Sequence, residues 1–153
     1  MAENVILVQE GFRILQPLFA AYVAREMKRE YGEDWWQNVL MTLSDQARDL
    51  PDDGGWNTLV DSLDIANSLR LFDRAWNDVF RKKLSLDYRT WSKELMGVRN
   101  KLAHIGSEDF SEDDAWRFLD TMARLSEAFD DESAEEIRAL MRKARYGSAE
   151  GST

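Results

Sequence analysis

Within six residues, Arg99-Asn100-Lys101-Leu102-Ala103-His104 gathers the side chains best suited to work on a phosphate ester. His104 is the only histidine of the chain, and an imidazole is the side chain that accepts or donates a proton near neutral pH. An arginine can hold phosphate oxygens in two-point contact and stabilise charge developing on phosphorus. RNA brings its own nucleophile, the 2′-hydroxyl, so its cleavage to a 2′,3′-cyclic phosphate and a 5′-hydroxyl needs neither a metal nor a protein nucleophile. That route profits from one base and one acid, whereas a single chain offers one histidine. A symmetric dimer that brings two His104 side chains to one cleft would supply both, together with two Arg99 and two Lys101. The plainer reading of the same residues is that His104, just before Gly106, is an imidazolium favouring a helix C-terminus.

These residues need a helix to orient them. On a wheel advancing about 100° per residue from Trp91, Leu95, Val98 and Leu102 fall within roughly 40° and define a core-facing stripe. On the same wheel Asn100 lies near about 180° and His104 near about 220°, an i, i+4 pair directed away from that stripe. Arg99 flanks the stripe on one side and Glu94 on the other. Leu102, as a stripe residue, is expected to carry the fold, and a buried leucine truncated to alanine costs about 2–5 kcal/mol.

Sparse punctuation divides the rest of the chain into segments of helical length. Phe12, Leu15, Phe19, Tyr22, Val23 and Met27 recur at helical spacing before Gly32, with Pro17 predicting a kink or break near Gln16. Asp34 is expected to cap a second segment that holds Trp36, Val39, Leu40 and Leu43. After the loop from Pro51 to Gly55, Asp64 opens a third, marked by Leu69, Phe72, Trp76, Val79 and Phe80. A fourth begins near Asp87 and carries the Arg99–His104 stretch. Ser111 and Ser133 fit capping positions of two more helices. The acidic pairs Glu33-Asp34, Asp52-Asp53 and Glu108-Asp109 sit at helix ends and turns, where capping and solvation explain them. Trp76, Trp91 and Trp116 fall on or near apolar stripes. Trp35 and Trp36 are adjacent, so one of those rings is expected to be exposed, with packing favoured over stacking on a base. The sum is an all-α bundle of five to six helices over residues 1–146, with residues 147–153 as a disordered polar tail.

Composition excludes much else. With 153 residues the chain is one domain long. It lacks cysteine, which removes disulfides, thiol nucleophiles and Cys-ligated metal sites, and a lone histidine removes multi-His sites. No metal and no cofactor are expected. No apolar run approaches a membrane span, and no basic leader precedes an apolar stretch, so a soluble cytoplasmic protein is expected. Against 29 acidic residues stand 20 basic ones, a net charge of −9. Passive nucleic-acid binders carry a basic face, so RNA contact is expected only at a local cleft.

Four stretches together resemble a known family. Glu26 to Trp36 looks like the first helix and turn of the Swt-type branch of HEPN (higher eukaryotes and prokaryotes nucleotide-binding) domains. Trp76-Asn77-Asp78-Val79-Phe80 resembles its W-N-x-V-F signature, Arg99 to His104 its R-N-x-x-A-H, and Phe110 to Ala115 its F-S-x-D-D-A. The matches run in order from about residue 8 to residue 142. The resemblance implies a HEPN-like fold, a homodimer with paired RxxxxH motifs, and metal-independent endoribonuclease activity on an RNA substrate. It makes Arg99 and His104 the catalytic pair and Asn100 the polar residue that often follows the arginine; beside that pair, Asn100, Lys101 and Glu94 are expected to bind substrate or support the site. It further implies a role in antiphage defence or toxicity, and a place beside or within a larger ATPase chain. The alternative within the same family is a non-catalytic dimerisation or ligand-sensing module. Gly106 occupies the position where related toxins carry an adenylylated tyrosine, so silencing by that route is not expected.

Overall fold

The computed structural model describes residues 3–151, with side chains described as far as Arg145. Among the described residues there is no strand, and seven α-helices carry the chain. They are α1 (Glu3–Tyr31), α2 (Trp35–Leu43), α3 (Trp56–Asp61), α4 (Ile65–Arg74), α5 (Leu86–His104), α6 (Glu112–Ser126) and α7 (Asp131–Gly151). All but α3 have nine residues or more, six principal helices in the all-α fold for which five to six were expected. None is long and apolar enough to cross a membrane among the described residues.

Local chemistry accounts for most helix ends. Asp64 accepts a 2.7 Å hydrogen bond from the Asn67 amide at the start of α4, and Ser111 accepts one of 3.1 Å from Asp114 at the start of α6, as expected. Asp34 does not cap α2 with its side chain. Its backbone belongs to the tight turn Gly32–Asp34 that feeds the helix, and an N-cap needs extended backbone to turn its carboxylate inward. α7 starts two residues before Ser133, and Asp130 accepts from the Ser133 amide at 2.8 Å in its place. α4 stops at Arg74, although the apolar spacing continues through Trp76, Val79 and Phe80. Those three side chains are buried as the spacing predicted, but Asn77 and Asp78 favour turns, and a turn delivers them.

Pro17 lies inside one continuous helix, so of the kink or break expected near Gln16 the break does not occur. The lost hydrogen bond costs about 3 kcal/mol. Complete burial of Leu15 and Phe19 on either side offsets it at roughly 1.5–3 kcal/mol per side chain. α7 carries helical backbone to Gly151, past the point where a disordered tail was expected to begin. A glycine such as Gly147 costs a helix only about 1 kcal/mol. Ser152 and Thr153 lie outside the described residues.

The chain divides into two compact units, one of residues 1–15 and 94–153 and the other of residues 16–93. In the first, α6 packs along α7, burying Phe118, Leu119, Met122, Ile137 and Met141. The early part of α1 approaches α6 at Gly11, where a Cβ would stand 2.7 Å from both Leu119 and Met122. No larger residue fits that crossing without displacing them. Trp116, expected in the core, is half-buried beneath the Arg145 guanidinium, 4.9 Å from its ring centre.

In the second unit the core is aromatic. Phe72 meets Phe19, Trp76 and Phe80 at centroid distances of 5.5, 5.5 and 4.5 Å. Trp35 and Trp36 are both buried, so the expected exposed ring is absent. The reason is the loop after α2, which folds back so that Trp36 Nε1 donates to the Pro51 carbonyl at 2.8 Å. Trp56 then packs on Trp35 at 5.1 Å. Trp91, also expected in the core, is half-buried against Tyr88. Glu26 is buried yet answered by both Lys83 and Arg29, at 2.6 and 2.8 Å. Burial, and then the Glu26 charge, push the Tyr22 phenol up to about 12.

Candidate functional site

The last three turns of α5, from Glu94 to His104, belong to the first unit. Leu95 and Val98 are buried and fix the inward face of the helix. Leu102 is only half-buried, which corrects its assignment to the core. It lies in the final turn of α5.

Two polar anchors tie this stretch to α6. Glu94 accepts from Arg117 Nε at 2.8 Å and from the Thr121 hydroxyl at 3.0 Å. The hydrogen bond from Arg117 and the nearby Glu94 charge raise the already high pKa of that guanidinium. Lys101, although exposed, lays its ammonium 5.3 Å from the centre of the Phe118 ring. Glu94 and Lys101 thus hold α5 against α6, and the aliphatic stem of Lys101 contributes to that contact.

Two of the remaining residues are left to solvent. Asn100 and His104 are exposed on the face opposite Leu95, as the wheel predicts. Arg99 is half-buried and takes part in no ion pair among the described residues. Glu94, the one acidic residue between positions 94 and 104, pairs with Arg117 instead. Five residues apart on a helix, Arg99 and His104 are separated by about 140° and about 7.5 Å along the axis. They do not share a face, and no hydrogen bond joins them among the described residues.

The loop beyond His104 is held in place at both ends. Gly106 has φ of +64°, a left-handed conformation that ends the helix without the strain a side chain would add. The Asp109 carboxylate then accepts from the backbone amides of Val5 and Asn4, at 2.8 and 3.3 Å. The Asn4 side chain returns a bond to the Phe110 carbonyl at 2.9 Å. An anion at the start of α1 satisfies amides that no helical carbonyl can reach and complements the helix dipole. Asp109 is a positioning residue that the sequence did not reveal. It reads there as half of an acidic turn, because its partners lie more than 100 residues away.

Among the described residues no group of three or more His, Asp or Glu side chains is placed to hold a metal ion. Compared with known families, the chain matches the family described as Swt1-like HEPN over residues 10–130. Among curated proteins and among solved structures, no match was found.

Proposed function

The chain belongs to the Swt1-like HEPN family, and on that premise we propose that it is an endoribonuclease module whose Arg99 and His104 act at a cleft formed by two copies. The observation that carries this reading is the division of labour along α5. Glu94 and Lys101 are engaged in holding the helix, whereas Arg99 has no carboxylate partner among the described residues and Asn100 and His104 face solvent.

In the reaction one His104 takes the proton of the 2′-hydroxyl as its oxygen bonds to phosphorus. The bond from phosphorus to the 5′-oxygen breaks, and the His104 of the second copy protonates that leaving oxygen. Arg99 neutralises the charge on the non-bridging oxygens. The separation of Arg99 from His104 around α5 favours a site completed by a second copy, since one helix does not turn both toward one phosphate. Action against phage RNA or as a toxin, with a larger ATPase chain as neighbour, is the setting proposed for this activity.

The test is incubation of the purified chain with mixed cellular RNA in EDTA, beside His104→Ala and Arg99→Ala. Cleavage leaving cyclic phosphate ends, lost by at least about a hundredfold in His104→Ala with an unchanged melting curve, is the expected result. Absence of His104-dependent cleavage, with self-association intact in Arg99→Ala, would replace this reading with a non-catalytic assembly module.

A further inference from the structure

A second cluster of cations lies in the other unit, on the last turns of α1. Arg25, Lys28 and Arg29 stand at i, i+3 and i+4, one face of the helix, and all three are exposed. With Trp56 at the start of α3 they line a cavity of about 420 Å³, within the size range of small-ligand sites. Lys28 holds its ammonium 5.4 Å from the centre of the Trp56 ring. The half-buried indole rests on Trp35.

The charge there is in surplus. Arg29 pairs with Glu26, but that single carboxylate is also answered by Lys83. Arg25 and Lys28 enter no ion pair among the described residues. Leaving cations unpaired beside a partly open indole, on a chain of net −9, is not what packing alone would select. Guanidinium groups bind phosphate oxygens in two-point contact, and an indole offers a flat surface on which a base can stack.

We propose that the cavity between α1 and α3 is a nucleotide-binding site, in which Arg25, Lys28 and Arg29 hold a phosphate and Trp56 stacks on the base. The ligand chemistry is a phosphate one sugar away from a planar base, whether as a free mononucleotide or as one residue of a single strand. In binding, Lys28 exchanges its contact with the Trp56 ring for the phosphate, and the base takes the vacated surface. The site uses no residue of the Arg99–His104 stretch and stands independently of cleavage.

Calorimetric titration of the whole chain tests this with four probes: AMP, a 5′-phosphorylated trinucleotide of 2′-O-methyl adenosine that cannot be cleaved, adenosine, and pyrophosphate. AMP is expected to bind. Its affinity should fall by about tenfold or more in the double variant Arg25→Glu with Lys28→Glu, whose positions are exposed. Trp56→Phe should keep most of the affinity and Trp56→Ala should lose it, and these losses should be the same in the parent and in the His104→Ala background. Tighter binding of the trinucleotide than of AMP identifies a strand as the source, and equal binding identifies the free nucleotide. Pyrophosphate binding as tightly as AMP, with no dependence on Trp56, would overturn the proposal in favour of a simple anion patch. Failure of both AMP and the trinucleotide to bind would overturn it outright.

Discussion

His104 and Asn100 are both exposed, and a surface substitution such as Asn100→Ala usually changes stability by no more than about 0.5 kcal/mol. His104 closes α5 as a basic residue of its last turn, a position worth about 0.3–1 kcal/mol, so His104→Ala should cost no more than that. Leu95, earlier on the same helix, is fully buried. Truncating it should cost about 2–5 kcal/mol, whereas Leu102→Ala, half-buried in the last turn, should cost less. Denaturant melts of the three variants are therefore expected to rank Leu95→Ala far below Leu102→Ala, with His104→Ala close to the parent's midpoint. A His104→Ala midpoint as low as that of Leu95→Ala would show the imidazole to be structural, and any loss of cleavage in it would then say nothing about catalysis.

Helices α1, α5 and α6 depend on contacts that join distant parts of the chain, and here the loop after His104 matters most. Asp109 caps the first amides of α1, and loss of a capping side chain costs about 0.5–2 kcal/mol. Asp109→Ala should lower stability by that amount. It should also reduce cleavage at temperatures where the variant remains folded, because the loop leaving His104 loses its tether; Asp109→Asn, which keeps an accepting oxygen, should recover much of both. Full activity in a destabilised Asp109→Ala would confine the residue to the fold. The same contacts explain what was legible beforehand. Caps at Asp64 and Ser111 were readable because donor and acceptor are three residues apart. The outward face of α5 was readable because helical periodicity alone determines it. The pairing of Glu94 with Arg117, the tether at Asp109 and the burial of both Trp35 and Trp36 were not, since each depends on a partner that spacing does not reveal. The Trp56 cavity escaped for the same reason. Its cations lie on one helix and its indole on another, about 30 residues further along the chain.

Charge sets the conditions under which the whole molecule can act. Two copies approaching each other each carry −9, so their self-association is opposed by a repulsion that salt screens, over a Debye length of about 10 Å at 0.1 M. The proposed RNA binding would move the other way, because each phosphate neutralised by a cation releases a counterion and affinity falls as salt rises. The proposed active site, completed by two copies, would have to satisfy both requirements. At protein concentrations near the dimerisation midpoint, cleavage should therefore rise with added salt, pass through a maximum and then fall. At concentrations well above that midpoint the rising limb should disappear, leaving only the decline. Sedimentation and cleavage measured on the same salt series check this directly. A decline at every protein concentration, with sedimentation unchanged by salt, would mean that catalysis does not wait on association and would remove the second copy from the mechanism.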